Sequence, residues 1–266
     1  MKKMENRSSV KAVPAELAQF FCEHPRAALA FSGGCDSAYL LYAAKACGAE
    51  VCAYYAKTCF QPEFEYRDAL RLAKELGCEM RIVELDVLAD DHVRSNPADR
   101  CYFCKRHIFE AIRAASAQDG YACLMDGTNA SDDVRERPGM RALRELEVRS
   151  PLREAGITKA QLRRLSREAG LFTWDKPAYA CLATRIPCGM EISRDLLGKI
   201  ERAEAGLAAL GFSDFRARIC GSGVRLELTQ AQMPLLLDKR GEVVRMLEKY
   251  FDGISLDLRP RKGLEL

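Results

Sequence analysis

The sequence predicts an α/β fold, a Rossmann-like parallel sheet followed by a smaller C-terminal α+β domain. Over the first two-thirds of the chain, short apolar runs alternate with longer amphipathic runs, as expected when a helix follows each parallel strand. After Ile192 the order changes to helix, hairpin, helix and short strand. We therefore expect one domain over residues 1–190 and a second, for substrate binding or oligomerisation, over residues 191–266.

The elements of the first domain follow from local apolar periodicity. The predicted strands are Ala27–Phe31, Val51–Ala56, Glu79–Glu84 and Ala122–Met125. The predicted helices are Ser37–Cys47, Pro62–Leu76, Tyr102–Ala117 and Thr158–Ala169. Residues 174–189 are rich in proline, alanine and cysteine and lack periodicity, which predicts a long functional loop.

The second domain has fewer elements. A helix is predicted at Ser193–Leu210, because Ser193 can cap it and Asp195 lies in its first turn. The remaining predicted elements are a hairpin of Phe215–Cys220 and Val224–Thr229, a helix at Gly241–Phe251 and a strand at Ile254–Leu258.

Composition limits the class of protein. The chain has 266 residues, of which 48% are hydrophobic and 30% charged, as in globular proteins. A net charge of only +3 gives little support for binding nucleic acid or an anionic membrane. The polar start of the sequence does not resemble a secretory signal, and no apolar run is long enough for a transmembrane helix. We expect a cytoplasmic protein that binds neither nucleic acid nor membrane.

A glycine-paired polar turn follows the first predicted strand. Its residues are Ser32, Gly33, Gly34, Cys35, Asp36 and Ser37. Glycines let the backbone turn and point N–H groups at an anion, and the following helix N-terminus favours the same charge. The spacing differs from a Walker loop, and no lysine in the turn serves a γ-phosphate. The sequence therefore predicts a site for the pyrophosphate of ATP, where Asp36 helps to order the phosphates and Mg²⁺.

A second small turn, Asp126–Asn129, follows the fourth predicted strand. The carboxyl ends of parallel strands are where α/β folds bind nucleotides. Gly127 and Thr128 are therefore further candidates for the ATP site.

Twelve cysteines are many for a reducing compartment, where a disulfide framework is not expected. Cys101 and Cys104 lie at the start of a helix, which would lower their pKa, and such a pair binds metal, cycles as a disulfide or does neither. Cys181 lies in the proline-broken loop and is a candidate third thiolate. Three cysteines leave one iron of a cubane open to another ligand. Cys188 is a fourth candidate ligand or an incidental thiol. The other cysteines of apolar or helical segments, read as core fillers, are Cys22, Cys47, Cys52, Cys78 and Cys123.

Three arginines are candidates for binding an anion. Arg185, four residues after Cys181, can hold a phosphate or carboxylate and a nearby thiolate. Arg216 and Arg218 alternate along a strand and so share a face, opposite Arg225 across the hairpin. The alternative is a solvated sheet face. We expect these strand positions to be exposed.

Together, several segments resemble the LarE family of ATP-dependent sulfur transferases, in the PP-loop ATP pyrophosphatase superfamily with the adenine nucleotide alpha hydrolase type of fold. The segments are Phe31–Ser37, Asn96–Lys105, Asp126–Asn129, Arg137–Ala142, Val148–Leu152 and Trp174–Pro187. The resemblance covers nearly the whole chain. Where the family has Pro-Tyr-Gly, this chain has Pro187-Cys188-Gly189, which leaves a role for Cys188 open.

The resemblance implies a step in nickel-pincer nucleotide biosynthesis, for lactate racemase maturation. ATP would adenylylate the carboxylates of pyridinium-3,5-biscarboxylic acid mononucleotide, and a protein-bound sulfur would displace AMP. One branch of the family sacrifices the cysteine matching Cys181; the other holds a [4Fe-4S] cluster on cysteines matching Cys101, Cys104 and Cys181. Because this chain has all three, the cluster branch is expected, with Cys181 and Asp36 catalytic and Arg185, Arg216 and Arg218 on the substrate phosphate.

Other readings remain open. A tRNA thiolation enzyme of the same superfamily would combine the same loop with three cysteines. An ammonia-using ATP-dependent ligase or a non-catalytic ATP-binding module would need only the loop. The partner that we expect is a small-molecule nucleotide substrate, and we expect the chain to form a homo-oligomer.

Overall fold

The computed structural model of the protein describes residues 13–132 and 138–263, which form two compact units. Within these residues the first unit contains 13–57, 63–85, 105–132 and 138–176, and the second contains 58–62, 86–104 and 177–263. The second unit thus includes residues 58–62, 86–104 and 177–190, which the sequence assigned to the first domain. The division of roles between residues 1–190 and 191–266 stays a prediction.

A four-stranded parallel sheet forms the centre of the first unit. Its strands are β1 (Arg26–Ala30), β2 (Glu50–Lys57), β3 (Met80–Glu84) and β4 (Cys123–Met125). The spatial order is β3-β2-β1-β4, and β1 pairs in parallel with both β2 and β4. All four strands were predicted, and the α/β fold with a parallel sheet is confirmed.

Helices cover both faces of this sheet, because successive strand residues point to opposite sides. Ala27 and Leu29 of β1 belong to an apolar cluster that includes residues of the first two helices. Ala28, between them, belongs to a second cluster with Phe109 and Ile112. The helices of the chain up to this point are α1 (Ala15–Glu23), α2 (Cys35–Ala46), α3 (Glu63–Glu75), α4 (Asp91–Arg94), α5 (Arg100–Gln118), α6 (Pro138–Glu145), α7 (Pro151–Glu154) and α8 (Lys159–Glu168).

The strand order creates a topological switch point. From β1 the chain adds β2 and β3 on one side, and then returns to place β4 on the other side of β1. The loops that follow β1 and β4 therefore leave neighbouring strands at the same carboxyl edge. Ligands of open α/β sheets bind in the crevice at such a point, and both predicted ATP-binding segments lie there.

The second unit contains a three-stranded sheet in the order β5-β6-β7. Its strands are β5 (Arg216–Cys220), β6 (Gly223–Glu227) and β7 (Ile254–Leu256), and its longer helices are α9 (Arg194–Ala209), α10 (Met233–Asp238) and α11 (Arg240–Leu247). The predicted hairpin is confirmed, because β5 and β6 pair antiparallel. Residues 182–185 of the predicted loop form a short 3-10 turn.

The sequence missed α1, α6, α7, α10 and the short α4. Two cysteines taken as core fillers, Cys22 and Cys47, are exposed, so that prediction was wrong for them. The buried face of α1 is formed by Leu17, Phe20 and Phe21, and residue 22 turns away from it. In the described part of the chain, none of the helices has both the length and the apolar surface that crossing a bilayer requires.

Candidate functional site

The predicted phosphate loop is shaped by Gly33. This residue has a φ of +69°, which is the left-handed region that glycine favours. A Cβ built on it would lie 2.9 Å from the Cβ of Ala69 in α3. Both the backbone conformation and the packing against α3 therefore require glycine at this position.

Two serine hydroxyls tie the phosphate loop together. The Oγ atoms of Ser32 and Ser37 are 3.1 Å apart, and Gly34 donates its N–H to Ser32 Oγ at 3.3 Å. Gly34 is the N-cap of α2 and offers no capping side chain. Helix N-termini leave N–H groups without intrahelical partners, so the first turn of α2 can bind an anion.

The turn after β4 comes very close to this helix. A Cβ on Gly127 would lie 2.9 Å from the backbone nitrogen of Ser37. Thr128 donates its hydroxyl to Asp126 at 2.6 Å, and Ser150 donates to the same carboxylate at 2.7 Å. The two segments predicted to bind ATP thus meet, and a side chain at residue 127 would separate them.

Asp36 is held by a lysine from a distant part of the chain. Lys159 Nζ lies 2.7 Å from both carboxylate oxygens of Asp36, and Asn129 donates to Oδ1 at 3.4 Å. Burial raises the pKa of Asp36, while Lys159 opposes this shift. The loop itself contains no lysine, and Lys159 was not predicted, because its one visible signal in the sequence is its place at the start of the capped helix α8.

ATP and Mg²⁺ were expected at this edge of the sheet. The carboxylate of Asp36 and the side-chain oxygen of Asn129 are the hard oxygen donors that Mg²⁺ prefers. Among the residues that the structure describes, however, no three His, Cys, Asp or Glu side chains are grouped as a metal site. The donor chemistry suits Mg²⁺ shared with phosphate oxygens, rather than a site made by protein ligands alone.

The second unit contains the three predicted thiols. Cys101 is exposed, whereas Cys104 and Cys181 are partly buried. Burial, together with the neighbouring Cys181, raises the pKa of Cys104 to about 12. Burial also raises the pKa of Cys181, against the opposing charge of Arg100. The expectation that the helix N-terminus lowers the pKa was therefore wrong for Cys104, because desolvation outweighs the helix dipole.

A fourth thiol, Cys59, lies in the same unit and was not singled out from the sequence. Burial raises the pKa of Cys59, and the neighbouring Cys181 adds to this shift. Cys59 in turn contributes to the raised pKa of Cys104. The backbone N–H of Leu182 donates to the carbonyl of Phe60 at 2.9 Å, which joins the segment of Cys59 to that of Cys181. No sequence pattern connects a lone cysteine to a motif over forty residues away. Cys188 is exposed.

The cysteines fit an iron–sulfur cluster by their chemistry. Thiolates are the usual ligands of [4Fe-4S] clusters, and in a cubane each cysteine binds a different iron. The thiols of a cluster site therefore need not converge on one point. The described residues contain no group of side chains placed around a single metal ion, but a cluster does not require such a group. Because Cys104 and Cys181 have raised pKa values, loading would release their protons.

Arg185 is buried in an ion pair with Glu204. Its side chain has no exposed surface, and its Nε lies 2.8 Å from Glu204 Oε1. It also donates to the carbonyl of Ala180 at 2.9 Å. Glu204, from α9, accepts in addition from the hydroxyl of Tyr179 and the backbone N–H of Ala217. In this arrangement Arg185 fixes the backbone just before Cys181.

Arg216 and Arg218 contact the same loop. Arg216 donates to the carbonyl of Ala178, and it is only 5% exposed, so the expectation of an exposed position was wrong for this residue. Burial, with the charge of Arg185, lowers the pKa of Arg216 to about 10. Arg218 is less buried; it donates to Glu227 and to the carbonyl of Thr184, both at 2.6 Å.

Arg225 lies opposite Arg218 across the hairpin, as predicted. Like charges placed directly opposite one another destabilise a sheet. Glu227 compensates, because its Oε1 also lies 3.6 Å from Arg225. On this face, Glu227 therefore partly neutralises the charges of Arg218 and Arg225, and the side chain of Arg225 is 43% exposed.

Comparison with known proteins identifies the class. The chain is 36% identical over 247 residues to an uncharacterized protein of Synechocystis sp., covering 91% of this chain and 92% of that protein. It is 34% identical over 236 residues to the pyridinium-3,5-bisthiocarboxylic acid mononucleotide synthase of Lactiplantibacillus plantarum, covering 88% and 86%. A tRNA-specific 2-thiouridylase of Pseudothermotoga lettingae is 27% identical over 181 residues, but covers only 54% of this chain and 52% of its own. No protein-family profile matches the chain.

The parallel sheet, the glycine-paired loop at its switch point and the thiouridylase similarity define a nucleotide-binding enzyme of the PP-loop class. The similarity to the synthase extends over most of both chains. The chain belongs to the LarE family of ATP-dependent sulfur transferases.

Proposed function

We propose that the enzyme adenylylates the carboxylates of pyridinium-3,5-biscarboxylic acid mononucleotide and converts them to thiocarboxylates. The observation that carries the proposal is the 34% identity to the synthase over 88% of this chain. The phosphate loop and the thiols of Cys101, Cys104 and Cys181 support it. Action in the cytoplasm, a homo-oligomeric state and the absence of nucleic-acid or membrane partners stay predictions.

The first step activates a carboxylate, which is a poor electrophile while it carries its charge. A carboxylate oxygen attacks the α-phosphorus of ATP, the bond to the bridging oxygen breaks, and pyrophosphate leaves. The first-turn N–H groups of α2 and the glycine loop can hold the pyrophosphate, and Lys159 supplies positive charge beside Asp36. The product is an acyl adenylate. Mg²⁺ shared with the phosphate oxygens would be held by Asp36.

The second step forms the carbon–sulfur bond. If Cys181 is the donor, its thiolate attacks the acyl carbon and AMP leaves, which gives a thioester. Removal of the Cα proton of residue 181 then breaks its Cβ–S bond, so that dehydroalanine remains and the substrate departs as the thiocarboxylate. The pKa of Cys181 is raised by burial, so attack requires loss of its proton to a base or to solvent.

We propose instead that the sulfur is carried on a [4Fe-4S] cluster held by Cys101, Cys104 and Cys181. The chain has all three thiols in one compact unit. When bound, such a cluster supplies sulfide, which spares the protein its own cysteine. Neighbouring arginines fix the position of the cysteine ligand at residue 181. Arg185 and Arg218 donate hydrogen bonds to backbone carbonyls on either side of Cys181.

The substrate phosphate is proposed to bind on the arginine face of the second unit. Of the three predicted arginines, Arg218 is best placed to release Glu227 and bind a phosphate instead. It is partly exposed, and Glu227 would keep its contact with Arg225. Arg185 and Arg216 are already engaged with Glu204 and with backbone carbonyls. We infer that these two act mainly by fixing the loop of Cys181.

Anaerobic purification followed by iron and sulfide assay tests the sulfur source. We expect Cys101→Ala, Cys104→Ala and Cys181→Ala to lose both cluster and turnover, and Cys188→Ala, the matched control, to keep both. If only Cys181 is needed and its mass falls by the elements of H₂S after reaction, the sacrificial route is correct. Protein without iron and without mass change, but active with ammonia, would contradict both routes and support the ligase.

A tRNA thiolation activity is not favoured. The thiouridylase covers about half of this chain, whereas the mononucleotide synthase covers most of it. Thiocarboxylate formation from the mononucleotide, with transfer RNA as the comparison substrate, separates the two.

A further inference from the structure

We propose that Asn96 and Arg100 form a clamp that fixes Cys181 beside Cys101 and Cys104. The inference deepens the proposed sulfur transfer and rests on it for its functional consequence. Both residues lie in the second unit, just before the paired cysteines, and both are buried, with 2% and 6% of their surface exposed.

The first half of the clamp is the side chain of Asn96. Its Nδ2 donates to the carbonyl of Pro187 at 2.8 Å, and the backbone carbonyl of Asn96 accepts from the N–H of Gly189 at 2.8 Å. These bonds attach the chain before α5 to the end of the loop that carries Cys181. Asn96 has a φ of +57°, a conformation that asparagine tolerates better than most residues.

The second half is the guanidinium of Arg100, at the start of α5. Nη1 donates to Asn96 Oδ1 at 2.6 Å and to the carbonyl of Ala183 at 3.0 Å. Nη2 donates to Cys101 Sγ at 3.5 Å. One planar group therefore contacts a cysteine of α5, the asparagine and the 3-10 turn that directly follows Cys181.

This arrangement differs in role from the other arginine contacts of the loop. Arg185 joins the loop to Glu204 of α9, and Arg218 joins the carbonyl of Thr184 to the hairpin. Asn96 and Arg100, in contrast, join it to the segment that bears Cys101 and Cys104. A buried arginine satisfied by neutral acceptors is costly unless every contact is made, so the pair favours one relative position of the three thiols.

Three substitutions separate the parts of the clamp. Asn96→Gly keeps the left-handed backbone and removes the side-chain bonds to the carbonyls of Ile186 and Pro187 and to Arg100. Asn96→Asp keeps an acceptor for Arg100 but loses the donor to Pro187. Arg100→Lys keeps the positive charge but cannot span the three acceptors with one planar group. The matched control is Arg26→Gln, since Arg26 also donates to two backbone carbonyls, those of Asp119 and Gly120, within the first unit.

The geometric readout is thiol cross-linking of the reduced, chelator-treated full chain with dibromobimane, located by peptide mass spectrometry. Monobromobimane labelling reports thiol accessibility separately. We expect a cross-link from Cys181 to Cys101 or Cys104 in the wild type and the control. It should be strongly reduced in Asn96→Gly, Asn96→Asp and Arg100→Lys, without loss of single-thiol labelling.

The functional readout is the split between the two half-reactions. Pyrophosphate release should stay within about twofold of wild type. Thiocarboxylate formation should fall by about a hundredfold, because a displacement of about 1 Å at a reacting centre can cost that much. Undiminished cross-linking in folded Asn96→Asp and Arg100→Lys would overturn the clamp. Loss of pyrophosphate release would also overturn it, because the effect of these substitutions would then be general unfolding. A wild type that cross-links but makes no thiocarboxylate contradicts the proposed function and leaves the clamp standing.

Discussion

Lys159 and Asp36 form a two-point ion pair, with Nζ 2.7 Å from each carboxylate oxygen. Asp36 lies in the first turn of α2, where the helix dipole already favours negative charge. Lysine therefore adds to a positive environment that is suited to phosphates. Burial raises the pKa of Asp36, and the lysine opposes this shift because its charge favours the ionised carboxylate.

Replacement of Lys159 should slow the adenylylation step and change its pH dependence. We expect Lys159→Ala to reduce pyrophosphate release by about a hundredfold, the usual loss for one preorganised electrostatic group. Without the lysine the raised pKa of Asp36 rises further, so activity should be lost at a higher pH during acidification. The pH profile of pyrophosphate release measures both effects. Lys45→Ala, at the exposed end of α2, is the control and should retain the wild-type profile.

A methyl group at residue 127 should damage the ATP site. The Cβ of Gly127→Ala would meet the Ser37 nitrogen at 2.9 Å, so the turn after β4 must move away from α2. We expect a raised KM for ATP and slower pyrophosphate release. Gly241→Ala places its Cβ 3.6 Å from the nearest side-chain atom and should have wild-type kinetics. If the two variants had the same KM for ATP and the same rate of pyrophosphate release, the turn after β4 would not be part of the ATP site.

The buried pair of Arg185 and Glu204 should be the most costly ion pair to break. The two side chains are 0% and 5% exposed, so Glu204→Gln leaves an uncompensated buried guanidinium. We expect the free energy of unfolding to fall by about 3–5 kcal/mol. Glu75→Gln, which breaks an exposed pair with Arg71, should cost less than about 1 kcal/mol. Denaturant titration of both variants measures the difference, and similar losses would contradict the buried pair's importance.

The sequence predicted what depends on local signals. Apolar runs located the four parallel strands, and the glycine pair located the phosphate loop. It could not predict Lys159 beside Asp36, because the two residues are brought together only by the fold. The same applies to the position of Cys59 and to the burial of Arg216. Strand alternation alone suggested that Arg216 would be exposed on the face of the sheet. Charge in a sequence does not show which acceptors will surround it.

Cys104 should react slowly with alkylating reagents near neutral pH. Its pKa is raised to about 12 by burial and by the neighbouring thiol of Cys181, so little thiolate is present. The rate of iodoacetamide labelling should keep rising with pH beyond about 9, whereas in urea it should level off near the ordinary cysteine pKa of about 8.5. Since the folded pKa exceeds the unfolded one, this thiol's contribution to stability is present below about pH 8.5 and is lost as pH rises toward 12. Peptide mass spectrometry of the labelled, chelator-treated protein follows this site alone.

Arg218 and Arg216 should respond differently to truncation, although they occupy one strand. Arg218→Ala should raise the KM for the nucleotide substrate with little loss of stability, because Arg218 is partly exposed and its acceptor Glu227 retains Arg225. Arg216→Ala should lower the melting temperature, because a buried side chain and its bonds to the carbonyls of Phe215 and Ala178 are lost.

Steady-state kinetics and thermal unfolding of both variants separate binding from anchoring. Arg259→Ala, whose side chain is 92% exposed, controls for the loss of one positive charge on this unit and should leave both measurements near wild type. An unchanged KM in Arg218→Ala would return this arginine to the solvated sheet face. A raised KM in Arg216→Ala at unchanged stability would instead make the buried arginine a direct phosphate ligand, since only a guanidinium that reaches the substrate can alter binding without altering the loop that it supports.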